Sequence, residues 1–147
     1  MALIRFVIVL LVATSFAVAD DQRAHVNYML NCQGCHLPDA AGHEGKVPPM
    51  KNFVGYFLHS EEGRDFLIRV PGVAHADLND EELAELMNWL LVSFSEEQLP
   101  AGFTPFSESE VHRLRANPEN NPDAVREKIL AGIARDVPSL QSELQTP

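Results

Sequence analysis

The sequence predicts an all-α protein built from short helices. Apolar residues recur at the three- and four-residue spacing of a helix, and the alternating pattern of strands is weak throughout. The clearest segment begins at Asn79, which precedes three acidic residues as a helix N-cap typically does. The apolar residues that follow share one helical face: Leu83, Leu86, Met87, Leu90, Leu91 and Phe94. Trp89 lies among them.

The first 19 residues have the features of a signal peptide. Arg5 supplies a positive charge, residues 6–13 are uninterruptedly apolar, and residues 17–19, Ala-Val-Ala, form a small-x-small cleavage site. The apolar run is shorter than the roughly 20 residues that span a bilayer. We therefore predict cleavage after residue 19 and export to the periplasm, with an uncleaved N-terminal anchor as the alternative.

The predicted mature chain is acidic and long enough for one domain. Removing 19 of the 147 residues leaves 128, which can enclose a core. Because the leader carries one arginine and no acid, the formal net charge of −10 becomes −11. This charge disfavours nucleic acid and anionic membranes, and it favours protein partners with a basic docking patch. We expect no nucleic-acid contact and no membrane span after cleavage.

The first helix is predicted over residues 22–33. Asp20 or Asp21 can cap its first turn. Three apolar residues at helical spacing are expected to face the core: Val26, Met29 and Leu30.

Residues 32–36, Cys-Gln-Gly-Cys-His, follow directly and carry the strongest functional signal. The pattern C-x-x-C-H is typical of c-type haem attachment. Cys32 and Cys35 share one helical face, so both thiols can form thioether bonds to the vinyl groups along one porphyrin edge. His36 is then placed to bind the iron as proximal ligand.

Two other kinds of site use paired cysteines. A redox disulfide of the thioredoxin type is expected in a βαβ setting, and a zinc site needs a second pair of ligands. The chain has two cysteines in all, and its pattern is helical. Haem attachment is therefore the favoured interpretation.

Residues 24–94 resemble the class I c-type cytochromes. Cys32 and Cys35 match the thioether cysteines of that family, and His36 matches its proximal ligand. The resemblance implies a small helical fold around one covalently attached haem c. It also implies single-electron transfer rather than enzymatic catalysis.

The segment after the motif extends the resemblance. Residues 46–50 are similar to the family's G-P-x-L segment, with Val47 in place of the glycine, and Gly55 fits the following glycine. The resemblance implies that the Pro48 carbonyl accepts a hydrogen bond from Nδ1 of His36, leaving Nε2 for the iron.

Residues 53–70 are predicted to form two short helices separated near His59. Their apolar residues can line a haem pocket or form ordinary core: Tyr56, Phe57, Phe66, Leu67 and Val70. Arg64 can pair with a haem propionate or face solvent.

The sixth iron ligand is where the sequence departs from the family. In the family a methionine in the loop before the last helix supplies it, but here the loop of residues 70–78 has none. His75 lies in that loop and is the first candidate. Met50 is the second, although its place in the G-P-x-L segment puts it on the side of His36. An open position is the third possibility. Met87 is expected to be core, and His25 and His43 to lie at the surface.

Residues 96–147 are predicted to form a helical extension of the haem domain, residues 20–95. Residues 99–105 have the turn signals of a linker. Ser107 opens a helix to about Ala116, and Asn121 followed by a proline opens another to about Arg135. The extension either packs on the haem domain or serves as a docking arm, and residues from Ser139 onward are expected to be frayed.

These features together predict an exported mono-haem c-type cytochrome that carries single electrons from a dehydrogenase to an acceptor. A haem enzyme or small-ligand sensor with an open iron site is the first alternative. The second is a cytochrome subunit held in a stable complex by the extension. A deletion of the residues after Ser95 tests this alternative, because it should leave a free-standing carrier unaffected.

Overall fold

The computed structural model describes residues 21–145, and within them the predicted all-α fold is confirmed. The α-helices are α1 over residues 21–31, α2 Gln33–His36, α3 Glu61–Arg69, α4 Pro71–Ala74, α5 Asp80–Ser95, α6 Glu108–Arg115, α7 Pro122–Ile133 and α8 Pro138–Glu143. Two 3₁₀ helices cover Val54–His59 and Glu96–Gln98. The predicted signal peptide lies outside the described residues. No helix within residues 21–145 is long and apolar enough to cross a bilayer.

The first helix packs against α5 through aromatic rings. The fully buried Tyr28 contacts the rings of Trp89 and Phe94, with centroids 5.7 and 5.1 Å away. His25, exposed as predicted, stacks on the Trp89 ring at 5.3 Å. Trp89 therefore forms part of the contact between these two helices.

The apolar residues predicted to form the core face of α1 lie on its outer face instead. Val26 and Met29 are each 50% exposed and Leu30 is 77% exposed. Ala24 and Tyr28, one helical turn apart, define the buried face. Burying the large Tyr28 ring fixes the rotation of the helix, which turns the aliphatic positions outward. The prediction for Val26, Met29 and Leu30 was wrong.

The longest helix begins as the sequence predicts. Asn79 accepts a hydrogen bond from the Glu82 amide at 2.9 Å, and the Glu82 side chain accepts one from the Asn79 amide at 3.2 Å. This capping box satisfies two amides that the first turn of α5 leaves without helical partners. The predicted apolar face is buried, and Met87, only 4% exposed, is a core residue as expected.

Residues 53–70 are divided into helices near His59, as predicted. Ser60 caps α3 by accepting a hydrogen bond from the Gly63 amide, directly after the 3₁₀ helix. Gly55 lies against the end of α5, where a Cβ would come within 2.7 Å of the Ser95 carbonyl oxygen. The Gly55 amide donates to the buried Ser95 hydroxyl. This close approach explains why the chain has a glycine at that position.

The C-terminal helices pack on the preceding part of the chain. α6 lies against α3, α4 and α5, and α7 lies against α3 and the 3₁₀ helix Val54–His59. The buried apolar residues after Ser95 belong to the same core cluster as those before it: Phe106, Val111, Leu114, Ile129, Leu130, Ile133 and Leu140. The apolar sides of these helices are therefore occupied within the chain itself.

The ends of these helices agree in part with prediction. Ser107 caps α6 and a proline opens α7, as expected. The expectation of fraying from Ser139 was wrong, because α8 forms there and Leu140 is fully buried. The buried Leu140 side chain therefore packs α8 against the core.

Arg64 connects α3 to the part of the chain after Ser95. Its Nε and Nη2 donate to the two carboxylate oxygens of Glu110 at 2.7 and 2.8 Å. The guanidinium also donates to the carbonyls of Thr104 and Pro105 and lies over the Phe106 ring, 4.1 Å from its centroid. These bonds occupy most of its donors and leave its side chain 21% exposed, which does not fit the alternative that it merely faces solvent. The same bonds make it unsuited to pairing with a propionate.

Replacing Glu110 by glutamine is expected to lower the free energy of unfolding at pH 7 by about 1.5–3 kcal/mol, since it removes a charge-assisted bidentate pair. Hydrogen bonding to Arg64 holds the pKa of Glu110 below its ordinary value. The pair's stabilisation is therefore fully present above the unfolded-state pKa and is lost as the pH falls through the lower folded-state pKa.

The measurement is urea unfolding of both proteins from pH 7 to pH 3. Wild type should lose more stability on acidification than Glu110→Gln does. Glu62→Gln is the matched control, because the Glu62–Lys128 pair is well exposed and should contribute little. Parallel pH profiles for wild type and Glu110→Gln would contradict the assignment.

Candidate functional site

The two cysteines and His36 are placed by one short helical turn that continues α1. The Cys32 amide donates to the Tyr28 carbonyl, and the amides of Cys35 and His36 donate to the Cys32 carbonyl at 3.1 and 2.9 Å. Both thiols are free, with Cys35 exposed and Cys32 half-buried. The turn therefore presents two thiols and an imidazole within five residues, which is the donor set that covalent haem attachment requires.

The two alternatives for the paired cysteines, a redox disulfide and a zinc site, are not supported. Burial raises the pKa of the Cys32 thiol to about 11, whereas redox-active cysteines have lowered pKa values. A zinc site would need further ligands, and residues 21–145 contain no cluster of three or more His, Cys, Asp or Glu side chains placed to hold a metal ion. The buried environment of Cys32 therefore does not favour a thiol that cycles as a thiolate.

His36 has a buried ring nitrogen that lacks an acceptor. Its Nδ1 is buried and forms no hydrogen bond with any described residue. Burial lowers the pKa of His36, while the nearby Pro48 carbonyl acts in the opposite direction. The carbonyl is thus close enough to affect the imidazole, although Nδ1 does not reach hydrogen-bond geometry. A hydrogen bond from Nδ1–H to that carbonyl would fix the tautomer and leave Nε2 as the ligand atom, so the residues present fit a haem.

The loop after His36 folds back to bring Pro48 to the imidazole. The Gly42 amide donates to the His36 carbonyl at 3.0 Å, and His43 and Val47 close the loop through an isolated β-bridge. Gly42 has a φ of +69°, and a Cβ on it would lie 2.8 Å from the Pro48 carbonyl oxygen. His43 is exposed, as predicted.

A residue that the sequence analysis missed anchors this turn. The Tyr28 hydroxyl donates to the Leu37 carbonyl at 2.6 Å, and burial raises the pKa of Tyr28 to about 12. Leu37, directly after His36, has φ 67° and ψ 165°, a conformation that non-glycine residues rarely adopt. The position of Tyr28 one helical turn before Cys32 is a signal that could have identified it.

The candidates for the sixth ligand lie on separate segments. Met50 is half-buried at the end of the loop that starts at His36, and its amide donates to the Ala40 carbonyl. His75 ends α4, with an exposed imidazole that has no hydrogen bond or ring contact with any described residue. His59 is exposed and one of its ring nitrogens lies 3.0 Å from the Gln98 carbonyl oxygen. The assignments of His75 and Met50 stay predictions.

Comparison with known proteins gives one consistent result. The chain is similar to two curated proteins called cytochrome c-552, both from Thermus thermophilus and the second from a designated strain of that organism. Each is 29% identical over 120 residues, which cover 69% of this chain and 92% and 81% of the two relatives. No protein-family model matches the chain. The similarity supports a c-type cytochrome.

Proposed function

We propose that this protein is a single-electron carrier that holds one haem c through thioether bonds to Cys32 and Cys35. The observation that carries the proposal is the turn of residues 32–36, which presents two free thiols and the His36 imidazole together. The similarity to two cytochromes c-552 supports the same class. Enzymatic catalysis forms no part of this proposal.

The chain's own residues would hold and orient the group. A bound haem c supplies an iron that gains and loses one electron. Cys32 and Cys35 would hold the group through thioether bonds, and His36, with Pro48 as acceptor for its Nδ1–H, would provide the proximal nitrogen.

The sixth ligand in this proposal is His75, with Met50 as second candidate. The choice matters because axial ligation shifts haem potentials over about 0.8 V. A histidine pair would lower the potential relative to a His/Met pair. The proposal is therefore of a low-potential carrier.

We place the protein in the periplasm, between a dehydrogenase and a downstream acceptor. The predicted signal peptide supports export, and covalent haem attachment is consistent with that compartment. The formal charge of −10 favours a redox partner with a basic docking patch.

The first experiment tests covalent attachment. The exported protein should keep its haem after denaturation and acid–acetone extraction, and its mass should exceed that of the mature chain by one haem. Cys32→Ser with Cys35→Ser should abolish both results. An extractable haem, or none, would overturn the proposed function.

The second measurement tests the sixth ligand. Optical spectra of the oxidised and reduced protein should be six-coordinate and low-spin without a methionine–iron band, and His75→Ala should become high-spin. His43→Ala is the matched control, because His43 is also an exposed loop histidine. A methionine–iron band that survives His75→Ala would make Met50 or Met87 the ligand and overturn the assignment of His75. A high-spin wild type would indicate an open site and favour an enzyme or sensor.

A further inference from the structure

One arginine of the extension bonds to the whole loop that carries His75. Nε of Arg115 donates to the Ala74 carbonyl at 3.1 Å, and Nη2 donates to the Ala76 carbonyl at 2.7 Å. Nη1 donates to the Leu78 carbonyl at 2.8 Å and to the Asp80 carboxylate at 3.1 Å. The guanidinium therefore holds every second residue from position 74 to position 80.

This loop has few internal constraints. It connects α4 to α5, and its amides form only short-range turns, in which His75 donates to Pro71, Ala76 to Val73 and Leu78 to Ala76. Without the guanidinium, most of the carbonyls that Arg115 binds would depend on water. The planar fork of arginine can satisfy several carbonyls at fixed angles, which a lysine cannot do.

Arg115 is itself held firmly in place. Its side chain is 18% exposed, and the neighbouring Val111 and Leu114 are buried in the core. His112, one turn earlier on α6, lies 2.8 Å from the second carboxylate oxygen of Asp80. α6 thus fixes the loop of residues 74–80 through Arg115. It also fixes Asp80, the first residue of α5, through the side chains of Arg115 and His112.

We propose that Arg115 is a positioning residue that holds the loop of residues 74–80 so that His75 stays at the sixth coordination position of the iron. This inference rests on the proposed function. It gives the C-terminal extension a defined role, since a residue outside the haem domain then controls access of external ligands to the iron. The exposed His75 imidazole has no hydrogen bond, ion pair or ring contact within the described residues, so fixing its backbone is the means by which this chain can direct it.

Arg69 is the control for Arg115, because it forms the same kinds of bonds. It also ties the haem domain to the extension, by donating to the Asn117 carbonyl at 2.8 Å and pairing with Glu119 at 3.3 Å. Its side chain is 36% exposed and, among the residues that the structure describes, has no hydrogen bond to the loop of residues 74–80. A general loss of stability should appear in both variants, whereas loss of positioning should appear only at Arg115.

The test uses the haem-loaded protein with wild-type sequence, Arg115→Ala, Arg115→Lys and Arg69→Ala. Carbon monoxide binding to the reduced form and cyanide binding to the oxidised form are followed by stopped flow, because both require the internal ligand to leave. Arg115→Ala should accelerate both by about tenfold or more, since several charge-assisted hydrogen bonds are lost. Arg115→Lys should lie between it and wild type, and Arg69→Ala should match wild type.

Amide hydrogen exchange over residues 74–80 provides a readout that does not involve the haem. Exchange should be faster in Arg115→Ala and unchanged in Arg69→Ala. If Arg115→Ala does not fold, the same comparisons with Arg115→Lys decide the matter.

The outcomes separate this inference from the proposed function. Wild type without covalent haem overturns the proposed function. Wild type with covalent low-spin haem, but with equal ligand-binding rates in the Arg115 and Arg69 variants, overturns only the role of Arg115. A high-spin wild type also overturns it, because no internal ligand would then need positioning.

Discussion

A chain that ends at Ser95 is expected not to fold stably. It lacks the seven buried apolar side chains that the described part of the extension adds to the core, from Phe106 to Leu140. Each contributes about 1.5–3 kcal/mol by burial, so their sum reaches or exceeds the typical stability of a whole domain, about 5–15 kcal/mol. The helices α3 and α5 would in addition expose the apolar surfaces that they now bury against α6 and α7.

Thermal and urea unfolding followed by circular dichroism would measure this effect. The Ser95-terminated chain should show no cooperative transition, or one at far lower denaturant. A chain that lacks only residues 144–147 is the matched control, because Leu144 is 46% exposed and the buried Leu140 is kept. A cooperative transition at the wild-type midpoint in the shorter chain would contradict the expectation.

This packing also changes what the deletion can reveal about function. The sequence analysis expected that removing the residues after Ser95 would leave a free-standing carrier unaffected. The shared core predicts the opposite, since the shortened protein should lose its fold whether or not it belongs to a complex. Loss of a partner after this deletion would therefore not identify a docking arm.

The elements that sequence analysis placed correctly are those whose signals are local. A cap and its partner amide lie three residues apart, as at Asn79 and Ser107, so the pattern alone locates the helix start. The motif of residues 32–36 is equally local, because five consecutive residues supply its thiols and imidazole, and haem attachment there stays a prediction. For that reason these features could be predicted without knowledge of the fold.

The features that escaped prediction depend on residues distant in the chain. The buried face of α1 was misassigned because three aliphatic residues outnumber the single Tyr28, and only its contacts with α5 show which side is covered. The partners of Arg64 and Arg115 are separated from them by 35 to 46 residues. The chain has 11 lysines and arginines and 21 acidic residues, and no periodicity or short motif indicates which of them pair. The sixth ligand is undecided for the same reason, since it must come from a segment far from His36.

The second large effect is expected at Gly42, where alanine would disturb the contact between the loop and His36. A Cβ there would clash with the Val47 carbonyl oxygen and lie 2.8 Å from that of Pro48. Gly45 is the matched control, because it has the same φ of +69° but open space around its Cα. Gly45→Ala should therefore cost about 1–2 kcal/mol of stability from backbone strain alone. Gly42→Ala should cost about 2–5 kcal/mol, since the clash adds to that strain.

The reduction potential separates a general loss of stability from an effect on the proximal histidine. If the Pro48 carbonyl accepts the His36 Nδ1–H, it makes the imidazole a stronger donor to the iron and stabilises the oxidised state. Displacing that carbonyl in Gly42→Ala should then raise the potential, whereas Gly45→Ala should leave it at the wild-type value. Equal potentials in the two variants would mean that the Pro48 carbonyl does not act on His36. The loop of residues 37–50 would then be a structural closure rather than part of the iron's ligand environment.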